Sequence, residues 1–147
     1  MKVLVTGGAG MVGSHCAQHF AGKKNSVVVV DNLLRSQIFG SKDKSVEYNW
    51  HYLKTLKNIK LLKKDVRDRE DMIRLFKRER PDVVIHTAGQ PGVKHSIEDP
   101  FEDYEINASG TLNVLQATRM ANPKAVLIYC STNKVYGDNV NAVPIVS

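Results

Sequence analysis

No apolar run in this chain approaches the length of a membrane span, and nothing in its pattern suggests a helix that crosses a bilayer. Met1-Lys2 leads straight into Val3-Leu4-Val5, and Gly7 interrupts before a secretory h-region could form. Cysteine is scarce. Cys16 and Cys130 stand far apart and form no CxxC pair, so the expectation is two buried thiols in a reducing cytoplasm and no disulfide framework. His15 and His19 have the i, i+4 spacing of a metal pair, but Cys16 stands where a zinc HExxH motif needs glutamate, and no third ligand is evident. The formal net charge is +6, yet no helix-turn-helix signature, zinc pattern or aromatic-rich strand accompanies it. Lys54, Lys57, Lys60, Lys63, Lys64, Arg74, Lys77, Arg78 and Arg80 sit on or beside expected helices. They read as solvated faces, and a nucleic-acid partner is not expected. No linker, repeat or low-complexity tract divides the 147 residues, which amount to one domain.

What the chain does have is concentrated near its start. The apolar Val3-Leu4-Val5 runs into Thr6-Gly7-Gly8-Ala9-Gly10-Met11-Val12-Gly13, and a stretch with helical spacing follows, with Val12, Cys16 and Phe20 on one face. Val27-Val28-Val29-Val30 then ends in Asp31. Strand, glycine turn, helix, strand and acid in that order form the dinucleotide-binding fingerprint. Gly7 allows a tight turn out of the strand, Gly10 keeps a side chain out of the way of a pyrophosphate, and Gly13 lets the helix approach the sheet. The positive N-terminal end of that helix, with Met11 and Val12 in its first turn, faces the phosphates. Asp31 can accept hydrogen bonds from both hydroxyls of an adenosine ribose, and its charge repels a 2′-phosphate. That favours NAD over NADP.

The remaining pattern alternates strands and helices. Strands are expected at 2–6, 27–30, 59–62, 83–86 and 125–129. A polar stretch runs from about Arg35 to Ser45, and a helix over Val46 to Lys57 places Trp50, Leu53 and Leu56 inward. A helix from about Arg69 to Arg78 buries Met72, Leu75 and Phe76 until Pro81 stops it. The longest helix begins near Pro100, carries Phe101, Tyr104, Ala108, Leu112 and Leu115 on one stripe, and closes at Asn122-Pro123. Asn107 is a poor helix former there, which points to a specific hydrogen bond. His86, inside an apolar strand, reads as a core histidine, and His95 as a loop residue. The fold class is α/β: a Rossmann-type, doubly wound parallel sheet with strand order 3-2-1-4-5, read as truncated after the fifth strand because the pattern runs out beyond Gly137.

Taken together, the glycine turn, Asp31-Asn32-Leu33, Asp65-Val66-Arg67-Asp68, His86-Thr87-Ala88-Gly89-Gln90, Asn107 to Asn113, and Ser131-Thr132-Asn133-Lys134-Val135-Tyr136-Gly137 resemble the extended short-chain dehydrogenase/reductase family. Within that family the likeness is to the NAD-dependent nucleotide-sugar epimerases and dehydratases. The resemblance implies NAD as cofactor and a nucleotide sugar as substrate. By position, it places Asp31 on the adenosine ribose with Asn32 and Leu33 lining its pocket, and Asp65 and Val66 at the adenine. Ala88, Gly89 and Gln90 would run along the strand-four side of the cofactor, braced by Asn107. Thr132 takes the place of the catalytic Ser or Thr that orients the reacting oxygen of the sugar.

The family's general base is a tyrosine whose pKa is lowered by a lysine four residues on and by the nicotinamide's positive charge. None of Tyr48, Tyr52, Tyr104, Tyr129 and Tyr136 is followed by lysine at that distance. The expectation is therefore an incomplete NAD-binding domain over residues 1–147, inactive alone, with the substrate domain and the tyrosine–lysine pair elsewhere. A complementing C-terminal chain, a homodimer, or a non-catalytic dinucleotide-binding module are the other expectations this pattern leaves open.

Overall fold

The computed structural model describes residues 1–35, 44–132 and 144. The Asn133–Gly137 part of the last motif, with Lys134 and Tyr136, lies outside the described residues, as does most of the polar stretch between residues 35 and 45.

Five parallel strands form one sheet in the order β3-β2-β1-β4-β5, as the sequence pattern requires. They are β1 (Lys2–Thr6), β2 (Ser26–Asp31), β3 (Ile59–Lys63), β4 (Val83–His86) and β5 (Val126–Tyr129). The helices are α1 (Met11–Gly22), α2 (Ser45–Lys54), α3 (Arg69–Glu79), α4 (Val93–Glu98), α5 (Pro100–Tyr104) and α6 (Gly110–Ala121), with a π-turn at Glu105–Ser109 between the last two.

Alternation along the central strands sorts side chains between two cores. Val3, Val5, Val27, Val29 and Ile85 meet Ala17 and Ala21 of α1 and Leu53 of α2. On the opposite face, Leu4, Val28, Val30 and Val84 meet Met72, Leu75 and Phe76 of α3 and Val114, Ala117 and Ala121 of α6. Each of the three large α3 side chains is almost wholly buried and stabilises the fold by about 2 kcal/mol. Asp68 caps α3 by accepting the Asp71 N–H at 2.9 Å. Arg80 ends the helix in the left-handed region, φ 46°, just ahead of Pro81. Glu79 is nearly buried, yet it meets Lys60 Nζ at 2.7 Å, Arg78 Nε at 3.0 Å and Lys2 Nζ at 3.4 Å. Burial pushes its carboxyl up, but Lys60, Arg78 and Lys2 outweigh that and hold it below the usual glutamate range.

Four expectations need correction. The buried face of α1 is Gly13, Ser14, Ala17 and Ala21, whereas Val12 is exposed and Cys16 and Phe20 are only partly covered. At Gly13 the helix lies too close to the glycine turn for any side chain, and further along Ala17 and Ala21 are the residues that pack on the sheet. The long helix is broken by the π-turn, and its expected stripe faces outward: Phe101 is 82% and Leu112 56% exposed, with Tyr104 and Leu115 exposed too. Residues 93–98 form a helix, so His95 is no loop residue; its Nε2 pairs with Glu102 Oε2 at 2.7 Å. Leu56 lies beyond the end of α2, although it still packs on the core.

A fifth correction concerns the cysteines, expected to be buried: the fold brings them into the same neighbourhood as free thiols, Cys16 only partly buried and Cys130 exposed. Burial, and then the nearby Cys130, push the Cys16 thiol up. At the sheet edge β5 leaves Val126, Ile128 and Tyr129 exposed. Among the described residues, no helix is long and apolar enough to cross a membrane.

Candidate functional site

The carboxyl ends of β1, β2, β4 and β5 open on a cavity of about 690 Å³, the crevice where open α/β sheets hold ligands. Its wall includes Gly7, Gly10, Met11, Val12, Gly13, Asp31, Ala88, Gly89, Gln90, Asn107 and Thr132. Eleven expected site residues thus come together. Asn32, Leu33, Asp65 and Val66 do not line it: Leu33 and the Asn32–Asp65 pair sit beside Asp31, and Val66 packs into the core.

The glycine turn is pinned from both sides. Gly10 N–H bonds Gly7 O at 3.0 Å, and Ala9 N–H bonds Asp31 Oδ2 at 2.9 Å. Asn49 Nδ2 holds Ala9 O at 2.8 Å, and Thr87 Oγ1 donates to Thr6 O at 2.7 Å. Gly7 has φ +66°, and a Cβ there would lie 2.5 Å from Ala88 N. At Gly13 a Cβ would meet Gly7 O at 2.4 Å, which is the close helix approach the spacing demands. Gly10 differs. A Cβ there meets only Gly7 O, at 3.1 Å, and would otherwise intrude on the open cradle above the turn. Helix α1 begins at that cradle with no side-chain cap and no acidic residue in its first turn. Its unpaired N–H groups and positive end suit a pyrophosphate.

Asp31 stands at the end of β2. Its Oδ1 accepts Leu33 N–H at 2.8 Å and its Oδ2 accepts Ala9 N–H at 2.9 Å. Each oxygen keeps acceptor capacity for a hydroxyl. Burial pushes its carboxyl above the usual aspartate range, against the two backbone donors, and Asp65 adds to the rise. Leu33 adopts φ 60° to supply its N–H, a conformation that costs about 1 kcal/mol outside glycine.

The Asp65 carboxylate is already engaged. Arg67 grips it through Nε and Nη2, at 2.8 to 3.1 Å, and Asn32 Nδ2 donates at 2.9 Å. Burial pushes Asp65 up, but these donors prevail and hold it low. Arg67 continues to Glu102 at 3.2 Å, and Glu102 to His95. The Val66 side chain is buried in the core, against Gly110, where a Cβ would sit 2.7 Å from Val66 Cγ2. Asn113 Nδ2 donates to Val66 O at 3.0 Å.

On the strand-four side, Asn107 makes the hydrogen bonds its helical position implied. Its Oδ1 accepts Gln90 N–H at 2.8 Å and its Nδ2 donates to Gln90 O at 3.1 Å. The π-turn places it there, a backbone feature that clusters at functional sites. The cavity wall also contains Thr87, Ser96 and Asp103, which sequence reasoning missed. Asp103 is four residues before Asn107, and that helical spacing was the available signal.

A model of the NAD dependent epimerase/dehydratase family matches residues 3–146. The chain belongs to that family. Members use NAD, and the cradle at Gly10, the uncapped helix and Asp31 fit that dinucleotide. Among relatives of this epimerase/dehydratase chain, the CDP-paratose 2-epimerase of Salmonella typhi is 42% identical over 138 residues, covering 94% of this chain and 38% of that protein. The crystal structure of Thermus thermophilus UDP-glucose 4-epimerase in complex with NAD is 38% identical with a TM-score of 0.66, covering 82% of this chain and 34% of that one. The Thermotoga maritima UDP-glucose 4-epimerase with UDP-glucose is 31% identical with a TM-score of 0.78, covering 99% and 41%. This chain therefore spans about two fifths of the length of the relatives it matches.

Proposed function

We propose that this chain is the NAD-binding portion of a nucleotide-sugar epimerase or dehydratase, forming one domain over its length. The observation that carries the reading is the meeting of Asp31 and the uncapped start of α1 in one cavity. Gly7, Gly10 and Gly13 with the N–H groups of Met11 and Val12 hold the pyrophosphate. Asp31 takes the adenosine ribose, with Asn32 and Leu33 shaping its pocket and Asp65 and Val66 bounding the adenine. Because Asp31 is on the β2 side of the glycine turn, the second nucleoside runs toward β4, along Ala88, Gly89 and Gln90 braced by Asn107.

When bound, NAD supplies a hydride acceptor that can return the hydride to the sugar. Thr132, at the cavity wall beyond β5, orients the reacting oxygen through its hydroxyl. The general base comes from elsewhere, since no tyrosine of this chain has a lysine four residues on. Turnover by these 147 residues alone is accordingly expected to be absent. The similarity to CDP-paratose 2-epimerase supports a nucleoside-diphosphate sugar as substrate. The partner we propose is a second copy of the chain, seated on the exposed Phe101 and Tyr104 of α5 and Leu112 and Leu115 of α6, or a complementing C-terminal chain that supplies the general base.

Calorimetric titration and thermal shift with NAD, NADH and NADP test the reading. Saturable binding of NAD, with clear preference over NADP, is expected. Failure of every dinucleotide to bind would overturn it.

A further inference from the structure

One oxygen of Asp103 gathers three separate pieces of the cavity wall. Its Oδ1 accepts from Gln90 Nε2 at 3.1 Å, from Ser96 Oγ at 2.8 Å and from Asn107 Nδ2 at 3.0 Å. These donors come from the loop after β4, from α4 and from the π-turn. Asp103 is therefore the point where three elements that no strand ladder connects are tied together.

The residue held most tightly is Gln90. Its backbone is bracketed by Asn107 on both N–H and C=O. Its side chain folds back on its own loop, with Nε2 donating to Gly92 O at 3.0 Å and Oε1 accepting Gly92 N–H. The result is a polar side chain only 7% exposed, with every group satisfied inside one network. The same network sets the path of Gly89, where a Cβ would lie 3.1 Å from Asn107 Oδ1. Ser96 is fixed in turn, because its Oγ also contacts Gly92 O at 3.0 Å.

The placement of this network in the sheet gives it a specific consequence. The order β3-β2-β1-β4-β5 puts Asp31 and the Ala88–Gln90 loop on opposite sides of the glycine turn. A ligand that reaches only the turn and Asp31 meets at most Ala88 of the loop, whereas a full dinucleotide on the proposed path runs along Gly89 and Gln90 as well. We propose that Asp103 is a positioning residue for the strand-four wall, pre-organising Ala88–Gln90 for the nicotinamide half of the dinucleotide and leaving the adenosine half untouched; this rests on the NAD-binding reading above. Pre-organisation contributes affinity by removing the ordering cost from the binding step.

The test compares two ligands of different reach. Dissociation constants for NAD and for ADP are measured by calorimetry on the wild type, D103A, D103N and S96A. In D103A, NAD affinity is expected to fall about tenfold while ADP affinity stays within about twofold. D103N keeps an oxygen acceptor and is expected to recover most of that loss. S96A removes one donor of the three and is expected to show a smaller loss of the same kind, about threefold, which keeps the test decisive if D103A does not fold. A residue that merely stabilises the fold would weaken both ligands together. Equal weakening of NAD and ADP, an unchanged ratio in both D103A and S96A, or D103N no better than D103A overturns the proposal. Wild-type protein that binds ADP but gains nothing from the rest of NAD also overturns it, with the adenosine-site reading intact. Binding of neither ligand to the wild type instead removes the reading on which it rests.

Discussion

Thr6 and His86 are joined twice, as register partners in the β1–β4 ladder and through a hydrogen bond between Thr6 Oγ1 and His86 Nδ1. The direction of that bond follows from its continuation. Thr111 Oγ1 donates to Asn107 O at 2.7 Å, so it accepts from His86 Nε2 at 2.9 Å. Burial disfavours a second proton on the ring, so the imidazole is neutral and Nδ1 accepts from Thr6 Oγ1. A directed chain of hydrogen bonds runs from β1 through β4 to the carbonyl of Asn107, the residue that brackets Gln90.

Burial lowers the pKa of His86 from 6.5 to about 4. In the unfolded chain the same histidine takes its proton near pH 6.5. Its contribution to stability is therefore complete above pH 6.5 and is lost as pH falls from there toward 4. The expected loss is about 3 kcal/mol. Urea unfolding at pH 7, 5.5 and 4.5 checks this. His86→Gln should lower stability at pH 7 by about 1–3 kcal/mol and flatten the decline between pH 7 and 4.5. An unchanged slope in the variant would remove His86 as its source.

The glycines of the turn separate into two classes. Gly7→Ala combines φ +66° with a Cβ 2.5 Å from Ala88 N, and Gly13→Ala drives a Cβ to 2.4 Å from Gly7 O. Backbone cannot yield cheaply, so each is expected to cost more than about 3 kcal/mol. Gly10→Ala meets only one atom, at 3.1 Å, and should cost about 1 kcal/mol of stability while abolishing most NAD affinity. Gly22→Ala is the control: nothing lies within 4 Å of its Cβ, and it should stabilise by about 0.5–1 kcal/mol. Chemical denaturation of the four variants, with and without NAD, reads both effects.

The difference between what was legible in the sequence and what was not has a physical basis. The five strands, the glycine turn and Asp31 are written in local signals, namely apolar runs, glycine spacing and an acid at a strand end. The buried face of the long helix is not local. Phe101, Tyr104, Leu112 and Leu115 are outside, while the buried face of α6 is Gly110, Val114, Ala117, Thr118 and Ala121, small residues apart from Val114. Close approach to α3 and Val66 selects for size over hydrophobicity there, and the π-turn resets the helical phase. Asp103 was missed for a related reason. A carboxylate on a polar helix reads as solvated until the fold brings Gln90 and Ser96 to it.

Glu79 gathers Lys60, Arg78 and Lys2 at the opposite end of the sheet from the cavity. Glu79→Gln removes the negative charge that these three cations share at a nearly buried position. The expected cost is about 1–3 kcal/mol at pH 7. Its carboxyl is held below the ordinary 4.5, so its contribution is present above that value and is lost as pH falls below it. The variant should therefore lose less stability than the wild type on going from pH 5 to pH 3, measured by thermal melting at several pH values. NAD affinity should not change, because this cluster is remote from the cavity.

If Asp31 holds the adenosine ribose, as proposed, it ties cofactor choice to pH. Both carboxylate oxygens are fixed by backbone N–H groups, so its acceptors are aimed before any ribose arrives. Asp31→Ala removes two charge-assisted hydrogen bonds to the ribose and should weaken NAD by about ten- to a hundredfold. It should weaken NADP far less, because the repulsion of a 2′-phosphate disappears with the charge. Ribose binding needs the ionised carboxylate as an acceptor, and burial holds its pKa above the usual aspartate range. NAD affinity should accordingly begin to fall, on acidification, at a higher pH than an exposed aspartate would dictate. Asp31→Asn cannot titrate and should give a flat profile over the same range. Calorimetry with NAD and NADP from pH 7.5 to 4.5 measures both effects. Undiminished NAD affinity in Asp31→Ala would show that the carboxylate is not the group that holds the ribose.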